Sequence, residues 1–199
     1  MTASLHVLVL AAPAAASSPR AEPYVPAGRS ALHRVVSTAV ALAGNAVTVV
    51  LGANARQAAP ALAGLSVSMV LNRQWDEGPG SSLRIGVAAL PAACDAVLIL
   101  SSDQPRVTVD DLRQLLDAWK HDDATIAAAF HDRQADIPVI FPRLFFGELA
   151  RLRGDQDARA IIRRNSYRLA RVPMPNAAMN VTKDLAVPEE RFQHSSTDE

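Results

Sequence analysis

Short apolar runs alternate with amphipathic segments along most of this chain, and this alternation constrains the fold more than any other feature. The runs are rich in Val, Ile, Leu and Ala, which is typical of strands buried on both faces of a parallel sheet. Alternating strands and helices predict an α/β protein with a mostly parallel central sheet between helical layers. The strands are predicted at residues 5–10, 46–51, 67–71, 96–100, 125–129, 139–141 and 168–172, and the helices at 31–43, 56–63, 81–90, 109–118, 144–152 and 157–163.

Length and composition limit the classes of function that the chain can have. Its 199 residues predict one domain over residues 1–199, with a frayed tail from about residue 192. The net charge is zero and no apolar stretch approaches the roughly 18 residues of a membrane span, so we expect no nucleic-acid partner and no membrane partner. The single cysteine, Cys94, precedes an apolar run and is predicted to be a buried, inert thiol.

The N-terminal stretch LHVLVLAAPAAASSPR has two interpretations. It resembles a secretory signal peptide, because an apolar run precedes the small residues 14–16. It also resembles a buried first strand followed by a loop. No Lys or Arg precedes the apolar run, and the run is short and rich in branched side chains, which favours the strand.

The loops that follow the first four predicted strands are the first place to look for a site. Ligands of open α/β sheets bind outside the carboxyl ends of the strands. The loops after residues 10, 51, 71 and 100 should therefore share one edge of the sheet.

The segment AVLILSSDQP carries the sharpest chemical signal. A fully apolar strand ends in Ser101, Ser102 and Asp103, and a carboxylate in that place can reach a ligand without being buried. It is a hard oxygen donor that suits Mg²⁺ held jointly with nucleotide phosphates. The alternative is that Asp103 only caps a turn, while Gln104 adds one donor and one acceptor.

The segment LNRQWDEGPGSSLRIG carries a weaker signal. Gly78 and Gly80 permit a close approach to the backbone, and Ser81 and Ser82 are predicted to open a helix whose N-terminus favours anions or base carbonyls. The same letters also describe an ordinary helix start.

The segment RLRGDQDARAIIRR is a third candidate. Asp155 is predicted to cap a turn. Arg163 and Arg164 could meet a phosphate, but the interpretation that we favour is that they complement the dipole at the end of a helix.

Three blocks in order, NRQWDEGPGSSLRIGVAAL, VLILSSDQPRVTVDDLRQLL and IPVIFPRLFFGELARLRGDQDARAIIRR, resemble the molybdenum-cofactor nucleotidyltransferases, the MobA-like NTP transferases, and their cytidylyltransferase-like branch in particular. The resemblance implies a Rossmann-like, three-layer fold of the nucleotide-diphospho-sugar-transferase type. It implies transfer of a nucleoside monophosphate from CTP or GTP to a phosphorylated, molybdopterin-type acceptor, with Mg²⁺ as cofactor. It assigns catalysis to Asp103 and Asn180, the metal to Asp103, and nucleotide binding to Leu10, Ala11, Ala12, Asn72, Gly78, Ser81, Ser82 and Gln104.

The chain departs from the family pattern at its N-terminal loop and near its C-terminus. Pro13 stands where the family has a glycine, and proline lacks the N–H that a phosphate-binding loop uses. Glu22 stands at the lysine position and Asn180 at an aspartate position, which leaves Arg20 or Arg29 as cations for the phosphates. The alternative function is therefore a catalytically impaired member that binds a nucleotide or cofactor, or assists a molybdenum hydroxylase. The resemblance also implies that the first strand is retained and that the protein is cytoplasmic.

Overall fold

Seven strands form a single sheet in the computed structural model, which describes residues 4–11, 30–120 and 122–178. The predicted frayed tail lies outside these ranges. The strand order across the sheet is β3-β2-β1-β4-β6-β5-β7. The strands are β1 (Leu5–Ala11), β2 (Val47–Leu51), β3 (Ser68–Leu71), β4 (Ala96–Ser101), β5 (Ile126–His131), β6 (Gln134–Pro142) and β7 (Leu169–Pro173).

Most pairs of neighbouring strands are parallel. β1 pairs in parallel with β2 and β4, and β2 with β3, while β5 pairs in parallel with β7. Only β6 runs the other way, antiparallel to β4 and β5. The predicted mostly parallel sheet is confirmed, and the apolar run of β1 is buried between two strands as expected, with Val7, Leu8 and Val9 fully buried.

Helices cover both faces of the sheet and complete the predicted three layers. One core joins Val36 and Leu112 to one face, and a second core joins Leu83, Leu149 and Ile161 to the other. Burial of these apolar stripes is the main stabilising contribution of each helix. The helices are α1 (Ala31–Ala43), α2 (Ala55–Ala58), α3 (Pro79–Ala88), α4 (Val109–Trp119), α5 (Phe146–Leu149) and α6 (Ala158–Arg164).

Several boundaries differ from the prediction for physical reasons. The helix expected at 56–63 is one turn of α2 followed by a 3-10 segment that contains Pro60, which lacks a backbone donor. α3 begins at Pro79, two residues before the predicted start at Ser81, because proline suits the first turn of a helix. β6 begins at Gln134 rather than at residue 139, since Gln134, Asp136 and Pro138 interrupt the apolar pattern in its first half.

The helix α4 has a capped start, and the prediction for Cys94 is confirmed. Thr108 caps α4, and a capping box forms because the backbone N–H of Asp111 donates to the Thr108 hydroxyl while Asp111 accepts from the Thr108 backbone. Cys94 is 1% exposed, and burial raises the pKa of its thiol, so it is an inert core residue. Among the described residues, no helix combines the length and apolar character needed to cross a bilayer.

Candidate functional site

The carboxyl ends of β1, β2, β3 and β4 lie at one edge of the sheet, as predicted. Ala11 is in register with Leu51, Leu51 with Leu71, and Leu10 with Ser101. The chains of β1 and β4 stay hydrogen-bonded beyond the end of β4, because the backbone N–H of Ser102 donates to the Leu10 carbonyl at 3.0 Å. This edge therefore gathers most of the predicted site residues.

A buried polar network lies where β3 meets α3. The Asn72 amide nitrogen donates to the hydroxyls of Ser81 at 2.8 Å and of Ser82 at 3.0 Å. The Asn72 carbonyl oxygen accepts from the backbone N–H of Gln74 at 2.8 Å, and the Ser81 hydroxyl donates to the Gly78 carbonyl at 2.8 Å. Asn72 and Ser81 are fully buried, so these side chains fix the shape of residues 78–82 from within. This segment, which is the N-cap and first turn of α3, is called the glycine loop below.

The glycine loop packs directly against the loop at residues 153–156. Gly78 has φ of +115°, and a Cβ placed there would lie 2.6 Å from the Gly154 carbonyl oxygen. A Cβ on Gly80 would lie 3.0 Å from the Arg153 nitrogen and the Gln156 oxygen. The structure therefore brings two of the predicted motifs together, and both glycines permit a close approach by the chain itself.

Arg84 fastens these two loops to each other. Its guanidinium makes a two-pronged ion pair with Glu77, at 3.0 and 2.6 Å, and also donates to the Leu152 carbonyl at 3.0 Å. Hydrogen bonding from Arg84 holds the pKa of Glu77 below its ordinary value. The Glu77 carboxylate also accepts from the backbone N–H of Gly154 at 3.4 Å.

Asp103 follows β4 at the same edge and is half-buried. No group of three or more His, Cys, Asp and Glu side chains in the described part of the chain could hold a metal ion. A single carboxylate still fits Mg²⁺, which binds through one or two carboxylates together with substrate phosphates and water. The donor set therefore suits a metal that arrives with a nucleotide. Asn180, Ala12, Arg20 and Arg29 lie outside the described residues.

Gln104 is 4% exposed and joins three parts of the fold. Its amide nitrogen donates to the carbonyls of Ile137, at 2.9 Å, and Ala177, at 2.8 Å. Ala177 belongs to a 3-10 turn, Pro175–Ala178, that ends the described chain. The amide nitrogen is thus engaged within the protein, and nucleotide contact by Gln104 stays a prediction.

The sequence analysis missed an ion pair at this edge. The Arg159 Nε donates to the Asp136 carboxylate at 2.8 Å, and the backbone N–H of Ile137 donates to the same oxygen at 2.8 Å. The hydrogen bond to Asp136 is the main cause of a raised pKa at Arg159, and charge attraction to Asp136, Asp157 and Asp103 adds to it. The sequence does carry a signal for a buried, paired carboxylate here, since Asp136 is a charged residue directly before the apolar run IPVIF.

The helix α6 has a capped N-terminus. Asp157, and not Asp155, caps the helix, and its carboxylate accepts from the backbone N–H of Arg159 at 3.0 Å. Asp155 is exposed. Arg163 and Arg164 do lie in the last turn of α6, where cations complement the helix dipole.

The model of the MobA-like NTP transferase domain matches residues 20–172. The chain belongs to that family. It is a family of nucleotidyltransferases, which agrees with the resemblance drawn from the three sequence blocks. No curated protein matches the sequence.

Solved structures share the fold of this MobA-like chain. A nucleotidyl transferase from Methanothermobacter superposes with a TM-score of 0.74 at 20% identity, over 92% of this chain and 94% of that one. Rv0371c from Mycobacterium tuberculosis H37Rv, solved in complex with manganese, gives 0.69 at 23% identity over 87% and 89%. CMP:2-keto-3-deoxy-manno-octonic acid synthetase complexed with CTP gives 0.62 at 16% identity over 86% and 91%.

The extent of the family match divides the site. The match includes Asn72, the glycine loop, Asp103 and Arg159, but it starts after Leu10, Ala11 and Ala12. The family match therefore does not cover the stretch that contains Pro13.

Proposed function

We propose that this protein transfers a nucleoside monophosphate from a nucleoside triphosphate, with CTP as first choice and GTP as second, to a phosphorylated, molybdopterin-type acceptor. The observation that carries the proposal is that Asp103 follows β4 at the same sheet edge as the glycine loop, in a chain of the MobA-like family. The structural relative solved with CTP favours the first choice.

The proposed reaction is an in-line displacement. An oxygen of the acceptor's phosphate forms a bond to the α-phosphorus of the nucleotide, the bond from that phosphorus to the bridging oxygen breaks, and pyrophosphate leaves. Catalysis of this class depends on positioning and on neutralising charge.

Each part of the edge has a proposed role in that reaction. Asp103 binds the metal jointly with the phosphates, and Asn180 assists with an uncharged oxygen. Mg²⁺ would neutralise phosphate charge when bound, and the manganese in the Rv0371c structure supports a divalent ion. The base lies against the glycine loop, whose shape the Asn72 network holds fixed.

Pyrophosphate release from CTP and GTP, measured with a phosphorylated pterin as acceptor, tests this function. Asp103→Asn should lower the rate by about 100-fold or more, because it removes the charge that holds the metal. Asp110→Asn is the matched control, since Asp110 is 81% exposed and pairs with Arg113 on the surface. Undiminished turnover in Asp103→Asn would contradict the metal role.

Calorimetric titration with CTP, GTP, ATP and UTP, each with and without Mg²⁺, should come first. Tight, base-selective binding that requires Mg²⁺ is the expected result. A wild-type protein that binds none of the four nucleotides would overturn the proposed function.

The second candidate is a family member that has lost turnover and serves as a nucleotide-binding or cofactor-binding partner of a molybdenum hydroxylase. The observation that favours it is the joint presence of Pro13, Glu22 and Asn180 at family positions. The combined change of Pro13→Gly, Glu22→Lys and Asn180→Asp should then create pyrophosphate release. A triple variant as inactive as the wild type would argue against loss at these three positions.

A cytoplasmic location fits both candidates. β1 pairs with β2 and β4 along its length, and removal of a leader that includes β1 would open the sheet between them.

A further inference from the structure

Arg159 is a cation at the proposed nucleotide edge whose charge the proposed function has not yet used. It lies in the first turn of α6, with a side chain that is 42% exposed. Its Nε donates to the Asp136 carboxylate. Its two Nη groups make no hydrogen bond with any residue that the structure describes, so the outer fork of the guanidinium is open to an anion.

Strand register brings Arg159 towards Asp103. Ile99 of β4 is in register with Val139 of β6, and the two strands are antiparallel. Asp103 lies beyond the end of β4 and Asp136 lies in the first half of β6, so both carboxylates belong to the same end of this strand pair.

Negative charge accumulates at this end of the β4–β6 pair, and a cation would stabilise it. Three carboxylates, those of Asp103, Asp136 and Asp157, attract the guanidinium of Arg159. A triphosphate adds further negative charge, and a metal at Asp103 offsets only part of it. The chain has no lysine before Lys120, so the lysine-like cations of its first 119 residues are all arginines.

We propose that Arg159, oriented by Asp136, binds a phosphate group of the reactants through its outer fork. The inference rests on the proposed nucleotidyl transfer. Asp136 is a positioning residue in this scheme, because it is 9% exposed and holds the Nε while also accepting from the Ile137 backbone. An arginine can keep one carboxylate on its Nε and present two parallel donors to a phosphate.

Calorimetry on the full chain tests the inference with two titrations. CTP with Mg²⁺, compared with cytidine, reports on the nucleotide's phosphates. Inorganic phosphate titrated into CTP-saturated protein reports on the acceptor's phosphate. The variants are Arg159→Gln and Arg159→Lys, with Arg113→Gln as the control because Arg113 is 63% exposed and pairs with Asp110 on the surface.

Arg159→Gln should weaken one of the two phosphate ligands by about 10- to 100-fold, the effect of losing a charge-assisted hydrogen bond. The ligand that is weakened identifies which phosphate Arg159 binds. Cytidine affinity should stay at the wild-type value, and the melting temperature should fall only slightly, because the ion pair with Asp136 is partly exposed. Arg159→Lys should recover part of the lost affinity, and Arg113→Gln should bind like the wild type. Asp136→Asn should give a smaller loss of the same ligand.

Two results would overturn the inference while leaving the proposed function intact. In the first, the wild type binds CTP, and the Arg159→Gln variant binds both CTP and phosphate with the same affinities as the wild type. In the second, the variant loses affinity for CTP and for cytidine equally, and its melting temperature falls strongly. That result would show that Arg159 only supports the fold. A wild type that binds no nucleotide would remove the proposed function and the inference with it.

Discussion

The two halves of the candidate edge are built from different kinds of polar group. On the β3–α3 half, the buried polar side chains, such as Asn72 and Ser81, are uncharged and bond to one another, and the charged pair of Glu77 and Arg84 is partly exposed. On the β4–β6–α6 half, charged side chains dominate, and the carboxylates of Asp103 and Asp136 both attract the guanidinium of Arg159. The first half therefore sets the shape of the edge and the second sets its charge.

This division changes what a substitution should do. A buried, fully bonded network costs stability when one member is removed, since its partners are left unpaired. A partly exposed charge contributes little to stability, because water screens it, but contributes strongly to ligand binding. Stability measurements should therefore distinguish the two halves.

Gly78→Ala should give the largest loss of stability. The new Cβ would lie 2.6 Å from the Gly154 carbonyl oxygen, and φ of +115° is strained for any residue with a side chain. We expect the free energy of unfolding to fall by about 2–4 kcal/mol, measured by urea denaturation. Gly147→Ala is the control, because nothing lies within 4 Å of the new Cβ. Equal stability of the two variants would mean that the glycine loop is not held as tightly as the distances indicate.

Asn72→Ala should have the next largest effect. It removes two donated hydrogen bonds, to Ser81 and Ser82, and one accepted from the backbone of Gln74, all in a buried place. A loss of about 1–3 kcal/mol is expected. Asn54→Ala should be nearly neutral, since Asn54 is exposed and its side chain does not cap α2. An Asn72 variant as stable as the Asn54 variant would remove the claim that this half is self-supporting.

Asp136→Asn should cost less stability than either change in the first half. The amide oxygen of asparagine can still accept from the Ile137 backbone and from Arg159, so only the charge is lost. The Arg159 side chain is 42% exposed, and an ion pair of that kind contributes about 0.2–1 kcal/mol. Thermal denaturation of Asp136→Asn beside Asn72→Ala measures the difference, and a greater loss at Asp136 would reverse the ranking of the two halves.

The sequence predicts the fold well because buried parallel strands carry their own signal. Each predicted strand overlaps an observed one, and the apolar runs of the inner strands, such as β2 and β4, are buried on both faces. The direction of β6 could not be predicted, because its connection to β5 turns through Asp132 and Arg133, both at positive φ. Neither residue is a glycine or an asparagine, the residues that usually mark such hairpin turns in a sequence.

The site is predicted less completely than the fold, since local sequence patterns do not record which side chains far apart in the chain become partners. The spacing indicates that Asp103 and the glycine loop share an edge, but not that Gly78 meets Gly154 or that Gln104 spans from Ile137 to Ala177. Those contacts depend on how loops fold back across the helices, which no local periodicity records.

Glu77 should give the smallest effect, and only in acid. Its ion pair with Arg84 is partly exposed, and the pKa of its carboxyl is lowered in the folded protein chiefly by hydrogen bonding from Arg84. A carboxyl with a lowered pKa stabilises the fold above its unfolded pKa, and this contribution disappears as the pH falls through the lowered value. The wild type should therefore be more stable than Glu77→Gln at neutral pH, and the difference should shrink as the pH is taken from about 6 to 3. In an Arg84→Gln background, Glu77→Gln should lose this pH dependence. Urea denaturation at each pH measures all four proteins, and a difference between wild type and Glu77→Gln that grows in acid would show that Glu77 is not held by Arg84 in the way the structure places it.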